Sequence, residues 1–528
     1  MEKNAQRVFA TGAALFVLVA SVYLLTSAGR FANYDAETMF GVTRSLYSRG
    51  SLEVEGCSQI PRSLQCVQGV DGRYYSGYGV VTSIVALPFL AVGTFVGQSA
   101  GLDSNLVGAA FVAFMNSFIG ALACALFFFW AVRSGYSERA SLLATLLLAF
   151  ATPLWFHSTK EFYSEPLFTL FLLGSFAALR AGVSRRSAAI AGVLFGLAVG
   201  TRVFGLMYLP ILIVYAYLVS PVGSASGGSR MARASWFSIA VVACLIVWGA
   251  LNVSRFGSPF RTGYHVVLPS ASALFANPPL VGLKQILFDG EVGLVWFSPL
   301  VFLLPATWPR FHREHPIESF ACIAVVGSSL IFFAAYSYWH GGWSYGPRLL
   351  SPILPFLIFP LMPLLGALPD RRNQRVHQLV ARFAPFVILG ALAVQVIGIV
   401  PPYSRHYYLK PVYETSSQYS WRSKSALIDN AVAFPSSISY VARARRDRAQ
   451  PAPMNSGRRS MTTAADSSGV RGADRYLLSL PNSVNQFAPD IWWLKAAALG
   501  ARWVKILPLV MVICLSAFVA AVRVRKAT

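Results

Sequence analysis

The chain has 528 residues, of which 55% are hydrophobic and only 12% are charged. Soluble domains carry roughly 25% charged residues, so this composition excludes an ordinary soluble globular protein. The net charge of +23 would suggest a nucleic-acid partner, but the arginines lie mostly in short links between apolar runs, and no basic module with interleaved aromatic residues is present. We therefore predict an integral membrane protein whose basic links contact anionic lipid headgroups, with no nucleic-acid partner.

The first apolar run covers residues 8–26 and follows Lys3 and Arg7. It is long for a cleaved signal peptide and many further apolar runs follow, so we interpret it as a signal anchor with a cytoplasmic N-terminus. The later runs bring the prediction to roughly twelve transmembrane helices in an all-α, polytopic fold. They cover residues 107–132, 140–156, 166–179, 188–200, 203–219, 236–251, 292–308, 319–336, 349–368, 383–400 and 503–522.

One more apolar run, residues 80–96, decides the sidedness of every later segment. If it does not cross the membrane, each short basic link faces the cytoplasm, as the positive-inside rule requires. If it does cross, all of those links lie outside. We therefore predict that residues 80–96 form a juxtamembrane or re-entrant helix at the outer interface.

This topology places most polar and aromatic residues on the outer side of the membrane. Outer loops are predicted at residues 29–106, 157–165, 252–291, 337–348 and 401–502. The first four belong to a transmembrane region of residues 1–400, and residues 503–528 form a last helix and a basic cytoplasmic tail. Residues 442–473 of the long loop are rich in arginine, serine, glycine and proline, which is typical of a mobile linker; contact with an anionic substrate or headgroup is the alternative.

Among the six cysteines, only Cys57 and Cys66 lie in a polar loop. In an extracytoplasmic loop they either form a disulfide or remain two free thiols. No cysteine or histidine spacing typical of a metal site occurs, so we predict no metal.

Two carboxylates, Asp35 and Glu37, follow the first predicted span directly. A carboxylate at the outer interface is partly desolvated but still reachable by a polar substrate, which suits a general base; a helix cap is the alternative role.

The second outer loop crowds Lys160, Glu161 and Glu165 into one turn. Mixed charges at one membrane depth are costly unless they are paired or used, so this turn holds either a structural ion pair or part of a site.

Arg202 and Arg348 lie on the outer side, where the positive-inside rule does not favour arginine. With Lys160 they either clamp a lipid phosphate or extend to the outer headgroups.

Aromatic residues are concentrated in the same outer loops. Trp339 and Trp343 precede Arg348 in a stretch that also contains glycines, and Tyr75 lies in the first loop. These rings either stack on a sugar or belong to the aromatic belt at the membrane interface.

This order of features resembles the GT-C superfamily of polyprenyl-phosphate-sugar-dependent glycosyltransferases, specifically bacterial relatives of the protein O-mannosyltransferases and of the lipid A aminoarabinose transferase. The similar stretches cover most of the chain up to about residue 360, and the long outer loop carries little of the resemblance. They are residues 34–49, 75–89, 160–166, 192–202, 293–299 and 339–348.

The resemblance implies that Asp35, or Glu37 two residues later, is the catalytic carboxylate that deprotonates the acceptor hydroxyl. Glu161 or Glu165 would match the acidic position of the second loop. No metal or other cofactor is required. The candidates to hold the departing lipid phosphate, by position rather than by a motif, are Lys160, Arg202, His340 and Arg348.

The resulting hypothesis is an inverting glycosyltransferase of the bacterial cytoplasmic membrane, with both termini in the cytoplasm and the active site outside. It would move a sugar from a polyprenyl-phosphate donor to a glycan, lipid or protein acceptor. A lipid-linked oligosaccharide polymerase or ligase is the alternative enzyme and would depend on the arginines of residues 443–448. A transporter or flippase is the non-enzymatic alternative, and the outer clustering of ionisable residues argues against it.

Overall fold

The computed structural model is almost entirely helical. It describes residues 2–54, 57, 65–182, 184–219, 227–366, 374–415, 422–447 and 489–498. The predicted final helix at residues 503–522 lies outside this part of the chain. So does the predicted linker at residues 442–473, except for the residues up to Asp447, which belong to a helix.

The described helices come in the following order. They are α1 (Glu2–Thr26), α2 (Tyr34–Arg49), α3 (Val81–Val85), α4 (Leu87–Ser99), α5 (Ser104–Arg133), α6 (Glu138–Phe150), α7 (Leu154–Thr159), α8 (Glu165–Ala181), α9 (Arg185–Thr201), α10 (Leu209–Leu218), α11 (Gly227–Phe256), α12 (Gly263–Val267), α13 (Ala271–Leu274), α14 (Pro279–Phe288), α15 (Leu294–Phe297), α16 (Leu304–Glu314), α17 (Pro316–Ala335), α18 (Leu354–Ile358), α19 (Met362–Leu365), α20 (Gln374–Ile399), α21 (Ser404–Thr415), α22 (Ala426–Asp447) and α23 (Trp492–Ala498). Single 3₁₀ segments lie at Val203–Tyr208, Pro299–Leu303, Arg348–Ile353 and Phe359–Leu361.

Seven segments of the described chain are long and apolar enough to cross a membrane, so the protein is a multi-pass helical membrane protein, as predicted. They are Ala5–Thr26, Val81–Ser99, Ser104–Arg133, Arg230–Phe256, Pro316–Ala335, Arg348–Leu365 and Arg382–Ile399. Several other predicted spans coincide with shorter helices, among them α8 and α9 with 17 residues each.

The basic links of the predicted cytoplasmic side meet at one end of the helical bundle. Arg7 pairs with Glu138 at 3.3 Å, and Arg180 pairs with Glu318 at 3.1 Å. Arg233 donates to the backbone carbonyl of Leu179 at 2.7 Å. These contacts join the ends of α1, α6, α8, α11 and α17, which agrees with the predicted alternation of sides.

The segment of uncertain sidedness, Val81–Ser99, is divided into α3 and α4 at Ala86. Helix α4 packs on the first half of α5, with Gly93 against Gly108 and Gly97 against Ser104 so closely that a Cβ at either position would meet backbone atoms within 2.8 Å. Helix α1 instead packs on the second half of α5, where Gly12 contacts Phe129. Helices α1 and α4 therefore lie at different depths along α5. The outer position of α4 stays a prediction.

The predicted first outer loop is closed by a disulfide between Cys57 and Cys66, the first of the two alternatives left open by the sequence. A two-stranded antiparallel sheet follows at once, with β1 (Val67–Gln68) paired to β2 (Tyr74–Tyr75). The cross-link and the sheet hold this loop against α2.

Candidate active site

Four ionised side chains from distant parts of the sequence meet at the end of the bundle opposite the basic links. Arg348 donates from Nη1 to Asp35 Oδ2 at 2.9 Å and from Nε to Glu165 Oε1 at 2.7 Å. Arg202 also contacts Glu165 Oε1. The first-loop acid, a second-loop acid and both predicted outer arginines thus form one continuous network.

Each of these residues lies where a helix begins or ends. Asn33 caps α2, since its side chain accepts from the backbone N–H of Ala36 at 2.9 Å, and Asp35 follows in the first turn. Glu165 begins α8 and Arg202 follows the last residue of α9. An acid at a helix N-terminus and a base at a helix C-terminus are both favoured by the helix dipole.

Arg348 begins a 3₁₀ segment directly after Gly346 and Pro347. Gly346 has φ of 82°, a left-handed conformation that favours glycine. This turn directs the chain from the aromatic stretch into the bundle and buries Arg348.

Asp35 is the most accessible carboxylate of the network. Its side chain is 20% exposed, whereas Glu165 is fully buried. Its second oxygen, Oδ1, accepts from the Tyr78 hydroxyl at 2.6 Å and from Gln65 Nε2 at 2.8 Å. Asp35 is therefore held in one orientation by three donors and still reaches the surface of the cluster.

The Arg348 guanidinium also lies over the ring of Tyr163, 4.0 Å from its centroid. Tyr163 is held in turn, because its hydroxyl donates to the carbonyl of Trp343 at 3.0 Å. An arginine stacked on an aromatic face and bonded to two carboxylates has little freedom to move.

Gln65, Tyr78 and Tyr163 were not among the predicted site residues. Tyr163 lies between the two second-loop acids in sequence, and Tyr78 lies three residues after Tyr75. Proximity to charged residues was therefore the available signal, but a tyrosine in such a position is equally typical of the interfacial belt.

Glu37 lies two residues after Asp35 in the same helix. Successive residues are about 100° apart around a helix, so a separation of two residues places the two carboxylates on nearly opposite faces of α2. Arg348 contacts Asp35.

Lys160 and Glu161 belong to a different buried cluster. Lys160 is 1% exposed, and its amine donates to the carbonyls of Thr26, at 2.6 Å, and of Asp490. Burial lowers the pKa of Lys160 to about 7, against the opposing effect of Asp490. The structure thus gives Lys160 an anchoring role between α1 and residues 489–498, with both backbone carbonyls occupying the amine that was predicted to bind phosphate.

Glu161 accepts from the backbone N–H of Ala32 at 3.1 Å and from the Tyr403 hydroxyl. Burial raises its pKa to about 8, although both hydrogen bonds and Arg30 act in the opposite direction. Of the two second-loop acids, Glu165 is the one that joins Asp35 through Arg348.

The predicted sugar-stacking residues are divided between two places. Tyr75 packs on Phe256 and donates to Asp71 at 2.6 Å, on the sheet of the first loop. Trp339, His340 and Trp343 belong to residues 337–347, the aromatic loop, and line a separate cavity. His340 was predicted to bind phosphate, and it lies in that cavity wall rather than in the bonded network of Asp35.

A small apolar pocket opens beside Arg202. Its lining combines this one arginine with apolar and aromatic side chains. They are Phe168, Phe204, Met207, Tyr208, Phe333, Leu349 and Pro352. Its volume of about 10 Å³ is room for about one water molecule and not for a hydrocarbon chain.

A scan of protein-family models and a search of curated proteins return no match. A search of solved structures returns ArnT from Cupriavidus metallidurans in the apo state, with 16% identity, a TM-score of 0.46, and coverage of 84% of this chain and 72% of that one. ArnT bound to undecaprenyl phosphate is matched with 15% identity, a TM-score of 0.43, and coverage of 83% and 71%.

The archaeal oligosaccharyltransferase AglB from Archaeoglobus fulgidus, in complex with an inhibitory peptide and a dolichol-phosphate, is matched with 11% identity and a TM-score of 0.46. The alignment covers 78% of this chain but only 58% of AglB. All three TM-scores lie below 0.5.

Proposed function

We propose that this protein is an inverting glycosyltransferase that moves a sugar from a polyprenyl phosphate to an acceptor hydroxyl on the extracytoplasmic face of the bacterial cytoplasmic membrane. The observation that carries the proposal is the network in which Arg348 joins Asp35 to Glu165 and Arg202. Asp35, a partly exposed carboxylate, contacts the buried Arg348 directly and is connected to Arg202 through Glu165, at one end of a membrane bundle.

Asp35 is the general base in this mechanism. Its carboxylate accepts the proton of the acceptor hydroxyl while that oxygen forms a bond to the anomeric carbon of the donor sugar. The bond between the anomeric carbon and the phosphate oxygen breaks on the opposite face, and its electron pair stays on the phosphate. Attack opposite to the leaving group inverts the configuration at the anomeric carbon.

Arg202 and Arg348 stabilise the charge that develops on the departing phosphate. Fixed cations in a water-poor site lower the energy of such a charge more than the same cations in water would. Glu165 contacts both arginines and positions them, because a carboxylate between two guanidinium groups keeps them at a set separation.

A lipid-linked donor fits a site at the end of a membrane bundle. Its hydrocarbon chain would stay in the bilayer while its phosphate reaches the cluster of Arg202 and Arg348.

The decisive experiment compares Asp35→Asn with wild type in transfer of radiolabelled sugar from synthetic polyprenyl-phosphate sugars to membrane extracts. We expect Asp35→Asn to reduce kcat about 100-fold or more, because the amide cannot accept the proton. Asp103→Asn is the matched control, since Asp103 is an exposed carboxylate that caps α5 and asparagine also caps helices.

Full transfer activity in a folded Asp35→Asn protein would refute the base assignment. Glu37→Gln in the same assay decides the alternative within the loop, and we expect it to retain most of the activity. Activity that depends on the arginines of residues 443–448 but not on Asp35 would favour the polymerase or ligase instead.

A further inference from the structure

A second site adjoins the proposed active centre. A cavity of about 830 Å³ lies between three elements. They are residues 289–292 before α15, the aromatic loop before Arg348, and α21. Cavities of roughly 300–1,000 Å³ lined by aromatic side chains and a few polar groups are typical of small-molecule sites. None of the residues of the proposed mechanism lines this cavity.

One wall of the cavity is a flat aromatic surface. The rings of Trp343 and Tyr407 are stacked, with centroids 5.4 Å apart and planes 8° from parallel. Tyr407 is fixed to the loop, because its hydroxyl donates to the carbonyl of Ser344 at 2.6 Å. Trp343 is 42% exposed, so the supported ring still offers surface to a ligand.

The polar groups around this surface carry both charges. Asp289, Glu291 and Glu414 face the cavity together with Lys410 and Lys424. Glu291 accepts from Lys410 Nζ at 2.6 Å, so part of this charge is already paired. A nearly balanced set of donors and acceptors suits a neutral ligand with many hydroxyl groups better than a phosphate.

His340 adds a neutral donor to the same wall. Its Nδ1 accepts from the backbone N–H of Gly342 at 3.0 Å, which leaves the proton of the neutral ring on Nε2. Burial lowers the pKa of His340 below its usual value, which favours that neutral form.

The aromatic loop connects the cavity to the catalytic network. The carbonyl of Gly341 accepts from Arg348 at 3.4 Å, and the carbonyl of Trp343 accepts from Tyr163, whose ring lies under Arg348. Gly341 and Gly342 have φ of 71° and 79°, so two left-handed residues allow the loop to pass between the two sites. A ligand in the cavity is separated from Arg348 by the thickness of one loop.

We propose that this cavity binds the saccharide portion of the acceptor, with a sugar ring on Trp343 and its hydroxyl groups bonded to Glu291 and His340. This inference rests on the proposed glycosyltransferase function and specifies its acceptor as a glycan or a glycolipid. A protein acceptor would not need a stacked aromatic surface within a mixed-charge cavity.

The test measures binding and transfer separately. Binding of p-nitrophenyl mono- and disaccharides is followed by saturation-transfer-difference NMR on the Asp35→Asn protein, which does not depend on turnover. We expect signals from at least one saccharide that are lost in Trp343→Ala and retained in Trp343→Phe, which keeps a ring on Tyr407. Trp236→Ala on α11 is the matched control, because Trp236 is 41% exposed and lies outside the cavity.

In transfer assays on proteins that keep Asp35, Trp343→Ala should raise the KM for that saccharide about tenfold and leave the KM for the donor unchanged. Saccharide signals independent of Trp343, or a change confined to the donor KM, would overturn the inference. Trp343-dependent binding without transfer from any donor would uphold the cavity assignment and refute the proposed function. If the protein transfers sugar to a peptide or an unglycosylated lipid, and Trp343→Ala does not change that transfer, the proposed function stands and the cavity assignment is refuted.

Discussion

At the scale of single residues, the site depends on one arginine with two carboxylate partners. A buried charge is tolerated when it is paired and hydrogen-bonded, and removal of one partner leaves the other uncompensated. Arg348 satisfies Asp35 and Glu165 with two different nitrogens. The shape of the guanidinium, and not only its charge, is therefore required.

Arg348→Lys tests this requirement for shape. Lysine keeps the positive charge but has a single amine, which cannot take both nitrogen positions, so we expect kcat to fall about tenfold or more. Arg180→Lys is the control, because Arg180 makes an ion pair with Glu318 at the opposite end of the bundle. Equal activity of the two lysine variants in the transfer assay would contradict the bridging role of Arg348.

The raised pKa of Glu161 predicts that the stability of the fold depends on pH. Its pKa rises from 4.5 to about 8 on folding, because burial penalises the carboxylate. Its contribution to stability is therefore complete below about pH 4.5 and is lost as the pH rises through about 8. Lys160, with a pKa lowered to about 7, has the opposite dependence, so the contribution of Glu161 must be isolated by substitution.

Glu161→Gln provides this isolation. The amide oxygen can accept from Ala32 and the amide nitrogen can donate to Tyr403, so the variant should fold. We expect its Tm in detergent to fall less than that of wild type between pH 5 and pH 8, by about 2 °C or more. Identical pH profiles would show that Glu161 does not titrate in this range, and Asp103→Asn should follow the wild-type profile.

At the scale of elements, the active residues lie on helix ends whose positions are set by close helix packing. Helix α4 holds the first outer loop on α5 through Gly93 and Gly97, where backbones nearly touch. Because Asp35 and its partner Tyr78 belong to this loop, the packing of α4 on α5 contributes to where the carboxylate lies.

Gly93→Ala tests that packing. The added Cβ would meet Gly108 Cα at 2.8 Å and the Val107 carbonyl oxygen at 2.9 Å, so backbone must move and we expect a lower Tm. Gly390→Ala in α20 is the matched substitution, because no atom lies within 4 Å of its Cβ and alanine is the better helix former. A Tm of Gly93→Ala equal to that of Gly390→Ala would show that α4 is not tightly held.

At the scale of the whole molecule, the ion network restricts the membrane topology. Asp35 lies before α3 and α4, and Glu165 lies after α5 and α6. Arg348 joins both, so the two carboxylates are on the same side. That requires an even number of crossings between them, which holds if α5 and α6 cross and Val81–Ser99 does not.

Cysteine labelling tests this topology in cells, with Cys244 and Cys514 replaced by serine. Arg73→Cys and Ala100→Cys lie on either side of Val81–Ser99 and should both react with a membrane-impermeant maleimide added outside. Arg185→Cys, in a predicted cytoplasmic link, should react only after lysis. Protection of Ala100→Cys from the outside reagent would show that Val81–Ser99 crosses.

The sequence by itself indicated a multi-pass helical membrane protein, and it predicts which side of the membrane each loop faces. Long apolar runs require a bilayer, because nothing else covers so much apolar surface, and the arginines of the short links indicate which ends face the cytoplasm. The same local signals selected Asp35, Glu165, Arg202 and Arg348, since a charge at an outer helix end is costly unless it is used or paired.

Only the tertiary structure decided which charges pair. Lys160, Glu161 and Glu165 are all charged residues of one short predicted outer loop, so the sequence does not distinguish them. The direction of each side chain depends on how distant helices pack. Lys160 points to Asp490 and Glu161 to Tyr403. The disulfide and the cavity under Trp343 depend likewise on distances that no local pattern specifies. Pairing in a membrane protein is a property of helix packing, because contacts between residues hundreds of positions apart leave no trace in either segment alone.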